Sequence, residues 1–428
     1  MRILLIDTNR FAQTARMAMA FGELGCEVGV VCPPKGHPAR TVRSIRTYYN
    51  YRSLSPLGSL RSAIRAFDPE AILPCDELGF LHLHRLHAMA RASNDSGLAD
   101  CIERSLGPAG SFPITMSRYD LLKLAREEGV AVPTTRVVHR DGDLSWLGDA
   151  EDRPWALKTD GSYGGLGVWK VSSASEARRA LANSARSPFI RWLVKRLVSN
   201  RDFGFILEEW LQPLPNLVAQ EWIEGRPANF TVACWEGQTL AGIGVEVVAS
   251  HGEKGASVIV EVVEGTEMMH AAKSIAKRLR LSGFYGLDFM IEHRTGRAYL
   301  IEMNTRCVPL SALALGPGRD LPAAFCSCLA GRPVLSRKPY IESARIARFP
   351  DLEVYDVSRS FPEGSYYYDV PYDEPDLILR LRAPWKSLTT RLLKLVHKIL
   401  RRTGSYPLKI WIPVSDAQKA EEVETLQA

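Results

Sequence analysis

The first 112 residues alternate between short apolar runs and amphipathic segments, and this alternation restricts the fold more than any other feature of the chain. Ile3–Ile6, Glu27–Cys32 and Ala71–Pro74 are apolar runs of strand length, and Ala12–Leu24 has the spacing of an amphipathic helix. Strands that alternate with helices are typical of a parallel sheet with helices on its faces. We therefore predict an N-terminal α/β domain over residues 1–112.

After Pro113 the pattern changes from alternation to hairpins. Phe230–Trp235 and Thr239–Val248 flank a turn, and Leu287–Glu292 and Ala298–Met303 flank another. Paired strands joined by short turns are typical of antiparallel sheets. The chain as a whole therefore predicts a multidomain protein that combines an α/β domain with an α+β region.

Composition excludes several classes of protein. The chain has 428 residues, which at about 100–200 residues per domain gives two to four domains. A formal net charge of +6 is too small to indicate nucleic-acid binding. No apolar stretch approaches the ~18 residues of a membrane-spanning helix, and Ile3–Ile6 is too short for the apolar part of a signal peptide. We expect a cytoplasmic protein.

The eight cysteines fit this compartment. They form no CxxC pair and none has a histidine at metal-ligand spacing. We interpret them as reduced thiols, and not as a zinc site or a disulfide framework.

The second predicted hairpin carries a polar face. Glu302, Asn304 and Arg306 alternate along one strand and should share a face, with Ile301 and Met303 pointing into a core, and Asp288 lies on the preceding strand. Two carboxylates and an amide oxygen make a site that suits Mg²⁺ held between protein and polyphosphate. The arginine beside it is suited to a phosphoryl group.

A glycine-rich loop follows the short strand Trp155–Lys158. Glycines allow the backbone to approach phosphate oxygens closely. A mobile hairpin turn is the alternative interpretation. The candidate phosphate-binding residues are Lys158, Gly161, Ser162, Tyr163, Gly164, Gly165 and Gly167.

A third segment is suited to binding a planar base. Leu217–Ile223 is a predicted strand that Gly225 closes, and its main chain could hydrogen-bond the base while Trp222 and Ile223 supply apolar cover.

Two segments stand apart because they combine basic and apolar residues. Pro188–Arg201 and Trp385–Arg402 each have the pattern of a basic amphipathic helix. Such a helix packs on its own domain with a solvated basic face, or it attaches to an anionic membrane surface or an acidic partner. The second alternative would make the protein peripheral to a membrane.

Taken together, these elements resemble the ATP-grasp superfamily over about Pro113–Pro333. They are most similar to one synthetase half of the carbamoyl-phosphate synthase large subunit and its short single-copy relatives. The stretch from Ser117 through Gly129 to Pro133 matches the opening of the family domain. The resemblance implies a Rossmann-like domain before the ATP-grasp fold at residues 113–335, whose small lobe covers about 120–225 and large lobe about 226–335. Residues 336–428 would be a C-terminal extension.

The resemblance also implies roles for residues. Those that match ATP-binding positions are Arg118, Lys158, Gly164, Gly165, Gly167, Glu221, Ile223 and His251. Asp288, Glu302 and Asn304 match magnesium ligands, and Arg306 matches the catalytic arginine that faces the transferred phosphoryl group. The implied cofactors are ATP and Mg²⁺, with Mn²⁺ as a substitute metal.

The sequence departs from the family pattern in three places. The acidic residue that usually holds the ribose is missing after Gly225, which leaves Asn229 or Glu246 to substitute. The segment between Ala185 and Leu217 is longer than usual. The chain is too short for both synthetase halves and shows no glutaminase signature, so we expect no carbamoyl phosphate synthesis.

The implied reaction is ADP-forming carboxylate–amine ligation. A small-molecule or peptide carboxylate would be activated as an acylphosphate, and an amine or similar nucleophile would displace the phosphate. A nucleotide-binding protein without catalysis, and a kinase or carboxylase on the same fold, are the alternatives. No nucleic-acid partner is expected, and a homodimer is one option that the family allows.

Overall fold

The computed structural model describes residues 1–138, 144, 154–159, 168–186, 217–250, 256–354, 361–362 and 364–383. The glycine-rich loop, His251 and both basic segments predicted from the sequence lie outside these ranges. Among the described residues, no helix is long and apolar enough to cross a membrane.

The N-terminal domain contains a four-stranded parallel sheet in the order β3-β2-β1-β4. Its elements in chain order are β1 (Arg2–Ile6), α1 (Ala12–Glu23), β2 (Glu27–Cys32), β3 (Thr47–Asn50), α2 (Pro56–Phe67), β4 (Ala71–Pro74), α3 (Glu77–Ala92) and α4 (Ser96–Leu106). Ile3 and Leu5 enter one core cluster whereas Leu4 and Ile6 enter another. Because apolar side chains leave both faces of β1, the sheet is covered on both sides, and the predicted parallel α/β domain is confirmed.

A second, smaller sheet follows. After α5 (Phe112–Met116) and α6 (Arg118–Glu127) come β5 (Thr135–Val138), β6 (Trp155–Thr159), β7 (Val168–Val171), α7 (Ala174–Arg186) and β8 (Leu217–Glu221). The four strands are antiparallel in the order β5-β8-β6-β7.

The third sheet has seven strands in the order β13-β12-β9-β10-β11-β14-β15. Its elements are β9 (Gly225–Trp235), β10 (Gln238–Ser250), β11 (Ser257–Val263), α8 (Thr266–Leu279), β12 (Gly283–Glu292), β13 (Ala298–Asn304), α9 (Leu321–Ala330), β14 (Arg345–Arg348), α10 (Asp351–Val354), β15 (Tyr367–Asp369) and α11 (Pro375–Arg382). Both predicted hairpins, β9–β10 and β12–β13, are confirmed.

Two elements cross the predicted boundaries between lobes. Leu121 and Leu122 of α6, which we placed at the start of the small lobe, are buried in the core beneath the large sheet with Ile275 of α8. Strands β14 and β15 lie in the predicted C-terminal extension and yet continue the large sheet. Packing therefore joins these segments to the seven-stranded sheet.

The N-terminal domain and the large sheet share one apolar core. Phe21 of α1 packs edge-on against Phe284 of β12 and Phe325 of α9, with ring centroids 6.1 and 6.3 Å apart. This interface places the carboxyl ends of β1 and β4 close to the end of β13, because the backbone N–H of Cys307 donates to the carbonyl of Pro74.

Candidate functional site

Three polar side chains lie in one row across the large sheet. Asn229 of β9 is the register partner of Asp288 on β12, and Asp288 is the partner of Glu302 on β13. Directly opposed side chains on neighbouring strands lie within contact distance. In the next row, Asn304 is opposite Gly286, where a Cβ atom would lie 2.7 Å from the side chain of Val308, so Val308 fills the place of the missing side chain.

A β-bulge sets which side chains of β13 face this row. The ladder pairs Asp288 with Glu302 but Phe289 with Leu300, so Ile301 is an extra residue on β13. Such a bulge interrupts side-chain alternation. Leu300 is fully buried in the core, whereas Glu302, two residues later, faces Asp288.

The bulge corrects one detail of the sequence analysis. We predicted that both Ile301 and Met303 point into the core. Met303 does pack against it, but Ile301 is the half-buried extra residue of the bulge, because strict alternation does not continue through that position.

Both oxygens of Asp288 accept hydrogen bonds from amides. Asn229 donates from Nδ2 to Oδ1 at 2.6 Å, and Asn304 donates from Nδ2 to Oδ2 at 2.9 Å. The hydroxyl of Thr231 donates to Oδ1 of Asn229 at 2.8 Å and fixes that amide. Burial and the charge of Glu302 raise the pKa of Asp288 to about 7, although the two amide bonds act in the opposite direction.

Glu302 lies beside two cations. Arg118, the first residue of α6, donates from Nη2 to Oε2 of Glu302 at 2.7 Å. Burial opposes ionisation of this carboxyl, but Arg118 and Lys158 hold the pKa of Glu302 below its usual value. Glu302 is therefore ionised at neutral pH, whereas Asp288 titrates near that pH.

Lys158 reaches the same charge cluster from the small sheet. Its Nζ donates to Oε1 of Gln220 on β8 at 2.5 Å, and Nε2 of Gln220 donates to the carbonyl of Ile301 at 3.4 Å. Burial lowers the pKa of Lys158 to about 8, while Glu302 opposes the shift. Gln220 thus bridges the two sheets at the candidate site.

The position of Arg306 is not determined by side-chain alternation along β13. Strand β13 ends at Asn304, and Nε of Arg306 lies 2.5 Å from Oε1 of Glu77 in the first turn of α3. Its guanidinium also lies over the ring of Phe11, 5.8 Å from the centroid. Burial acts to lower the pKa of Arg306, but the charge of Glu77 outweighs this effect and raises it. The N-terminal domain therefore holds this arginine, which we had expected on the strand face.

The segment predicted to contact a base connects the two sheets. β8 ends at Glu221, two residues before the predicted end, and β9 begins at Gly225. The backbone N–H of Trp222 donates to the carbonyl of Pro154, and Nζ of Lys170 lies 4.7 Å from its ring centroid. Trp222 and Ile223 therefore lie in the connection between the sheets.

Some predicted residues lie outside the described part of the chain. These are Gly161, Ser162, Tyr163, Gly164, Gly165, Gly167 and His251. Their roles stay predictions.

Two residues that the sequence analysis missed complete the cluster, and the two residues considered for the ribose have other partners. Gln220 precedes the predicted hinge residue, so its position in the strand was a usable signal. Glu77 is 229 positions from Arg306, and no local pattern connects them. Asn229, considered for the ribose, donates to Asp288, and Glu246 pairs with Arg226 at 2.7 Å.

The donor set fits Mg²⁺ by its chemistry. No group of three or more His, Cys, Asp or Glu side chains suited to a metal occurs among the described residues. Asp288 and Glu302 with the amide of Asn304 instead provide two carboxylates and one neutral oxygen. Mg²⁺ sites that are shared with substrate phosphates typically use one or two protein carboxylates.

Comparisons with known proteins agree with this architecture. Residues 119–308 match the family model described as an ATP-grasp domain. No curated protein matches the chain.

Solved structures with a similar fold cover most of the chain. An N5-carboxyaminoimidazole synthase from Aspergillus clavatus, in complex with ADP and 5-aminoimidazole ribonucleotide, superposes with a TM-score of 0.56 at 12% identity over 80% of each chain. A biotin carboxylase–ATP complex from Campylobacter jejuni gives 0.55 at 14% identity over 78% of this chain and 72% of that one. A phosphoribosylglycinamide synthetase from Anaerococcus prevotii gives 0.50 at 14% identity, over 78% and 75%.

Identities this low establish a shared fold and leave the substrates open. The expected architecture, a Rossmann-like domain followed by the ATP-grasp fold, is confirmed. Residues 119–308 match the ATP-grasp family model, and the chain shares the fold of these solved structures.

Proposed function

We propose that this protein is an ADP-forming ligase that activates a substrate carboxylate with ATP and joins it to an amine or similar nucleophile. The observation that carries the proposal is the row of Asp288 and Glu302 on paired strands, with Arg118 and Lys158 directed at it. Carboxylates for a metal and cations for phosphates are thus concentrated at one place.

Charge is the main demand of phosphoryl transfer from ATP. An anionic carboxylate must approach a polyanionic nucleotide, so positioning and electrostatic stabilisation supply most of the catalysis. Arg118 and Lys158 are buried cations that would neutralise phosphate oxygens, and burial strengthens their interactions because little water competes.

Asp288, Glu302 and Asn304 would hold the metal. When bound, Mg²⁺ supplies positive charge beside the transferring phosphoryl group. Asn229 and Thr231 would keep Asp288 oriented, because their hydrogen bonds fix one of its oxygens.

Arg306 and the N-terminal domain would form the acceptor side. The arginine lies between β13 and α3, where it can orient the substrate carboxylate or the phosphoryl group that leaves ATP. The acid therefore binds near Arg306, with the carboxyl ends of β1 and β4 as the other wall. The glycine-rich loop at 161–167 would close over the phosphates and exclude water from the acylphosphate.

The test is a screen for ADP release over panels of small-molecule and peptide acids and amines, run with Mg²⁺ or with EDTA. The proposal expects ADP and phosphate only when an acid and an amine are both supplied with Mg²⁺. Glu302→Gln and Asn304→Ala should abolish the release while the proteins remain folded. Glu292→Gln is the matched control, because this residue lies on β12 two alternations away from Asp288.

The other outcomes identify the alternatives. A stable phosphoester product identifies a kinase, and ADP release that requires bicarbonate identifies a carboxylase. Binding of ATP without turnover across the whole panel favours a nucleotide-binding protein. The supporting observation is that Asn229 donates to Asp288, so the site departs from the family pattern of ribose binding. Full turnover in Glu302→Gln would overturn the metal assignment.

A further inference from the structure

Two buried thiols meet across the interface between the N-terminal domain and the large sheet. Sγ of Cys26 lies 3.4 Å from Sγ of Cys326, although the residues are 300 positions apart. Cys26 directly precedes β2, and Cys326 lies on α9. Neither residue belongs to the candidate active site.

Packed elements hold the two thiols in place. Phe21 and Phe325 make an edge-on aromatic contact beside the pair. Arg337 lies 3.1 Å from Asp320, which caps α9, and 3.6 Å from Glu23 at the end of α1. A disulfide needs an S–S distance of about 2.0 Å, so the two sulfur atoms must approach each other by about 1.4 Å.

The two thiols differ in access. Cys26 is 9% exposed and lies between the exposed residues Gly25 and Glu27, whereas Cys326 is fully buried. The hydrogen bond from Cys326 lowers the pKa of the Cys26 thiol, although burial acts in the opposite direction. A thiolate is the nucleophile in thiol oxidation, so Cys26 is the thiol that reacts first.

We propose that Cys26 and Cys326 are a redox modification site that a hydroperoxide converts to a disulfide between the N-terminal domain and α9. The Cys26 thiolate attacks one peroxide oxygen, which breaks the O–O bond and gives a sulfenic acid and hydroxide or alkoxide. The Cys326 sulfur then attacks the sulfenic sulfur, and the S–OH bond breaks to release water. The two thiols lose two electrons and two protons, and the peroxide is reduced to water and water or an alcohol.

The disulfide would be a reversible covalent crosslink that stabilises the folded protein. It joins the corner between α1 and β2 to α9 and closes a loop of about three hundred residues, and closing a long loop restricts the unfolded chain strongly. The oxidised protein should therefore resist separation and unfolding of its N-terminal domain, and a thiol reductant should restore the original behaviour.

The test treats the full-length protein with hydrogen peroxide, blocks remaining thiols after denaturation, and maps peptides by mass spectrometry. We expect a Cys26–Cys326 disulfide peptide that dithiothreitol removes. The internal control is the pair Cys75 and Cys307, which hydrogen-bonds across the same interface with at most 1% exposure and should stay alkylatable. Cys101 and Cys328, both half-buried, report non-specific oxidation.

A second measurement follows the thermal midpoint. Peroxide should raise the midpoint of thermal unfolding in the wild type and leave the midpoint unchanged in Cys326→Ser and Cys26→Ala. Each protein is compared with its own reduced form. The proposal is overturned if both thiols are alkylated after treatment, if Cys26 accumulates as sulfinic acid with Cys326 still a thiol, or if the shift persists in both variants. Peptide mapping needs only the wild type, so a variant that fails to fold does not affect it.

Discussion

Arg118 and Glu302 form an ion pair, with Nη2 of the arginine 2.7 Å from Oε2 of the glutamate. The arginine is 9% exposed and begins α6, whereas the glutamate is 31% exposed on β13. One of these groups is proposed for a phosphate and the other for a metal ion. Under the proposed function, Mg·ATP would supply a further partner to each charge of this ion pair.

Arg118→Gln should weaken binding of Mg·ADP by about tenfold or more. A hydrogen bond to a charged group contributes about 1.5–3 kcal/mol, and 1.4 kcal/mol corresponds to a factor of ten in affinity. Isothermal titration calorimetry measures the change. Arg126→Gln is the matched control, because this arginine lies on the same helix and donates to the carbonyl of Pro133. Equal affinities for the two variants would contradict the role of Arg118.

Asp288→Asn should change how stability depends on pH. The pKa of Asp288 is about 7 in the folded protein and near 3.8 in an unfolded chain. Between these values the folded state binds more protons, so this group makes the free energy of unfolding fall as pH rises. Asparagine does not titrate. Relative to the wild type, the variant should therefore gain stability by about 2–3 kcal/mol between about pH 5 and pH 8.

Urea unfolding at several pH values measures this difference. Asp373→Asn is the control, since it makes the same chemical change at an exposed aspartate outside the site. A constant difference between Asp288→Asn and the wild type would show that Asp288 has an ordinary pKa.

The polar face of β12 and β13 could be predicted from the sequence because its determinants are local. A turn at Arg294-Thr295-Gly296 and alternating side chains are enough to place Glu302 and Asn304 near Asp288. The bulge at Ile301 could not be predicted, because it depends on how β13 fits β12 and the core. The sequence shows only that polar and apolar residues alternate there.

Long-range contacts account for what the sequence did not reveal. Gln220 meets Lys158 because β6 and β8 are neighbours, and no spacing along the chain specifies that order. Glu77 meets Arg306 only because the two domains pack together. The parallel sheet of residues 1–112 was predictable for the opposite reason, since each strand and helix carries its own periodicity.

The lowered pKa of Lys158 predicts a loss of nucleotide affinity in alkaline solution. Burial lowers its pKa to about 8, so the side chain loses its proton and its charge as pH rises through this value. A neutral amine cannot neutralise phosphate, and affinity for Mg·ADP should fall by up to about tenfold per pH unit above 8. In Lys158→Arg the affinity should stay constant over this range, because arginine keeps its charge. An equally steep fall in that variant would assign the titration to another group.

Arg306→Gln should separate catalysis from binding. Removing a group that stabilises charge in the transition state costs about 10²–10³ in kcat, and a group that contacts only the acceptor side leaves nucleotide affinity unchanged. We expect that loss of kcat in single-turnover ADP release, with the acid and amine found by the screen, and an unaltered Kd for Mg·ADP.

The ion pair with Glu77 provides the check on structure. Glu77 is 36% exposed, so water can solvate it once Arg306 is replaced, and the variant should keep the thermal midpoint of the wild type within about 3 °C. Arg319→Gln is the matched control, because it breaks an exposed ion pair with Glu264 and should leave kcat intact. If Arg306→Gln weakened Mg·ADP binding as much as it slowed turnover, the arginine would be a nucleotide ligand. If it changed neither, phosphoryl transfer would have to depend on Arg118 and Lys158 without it.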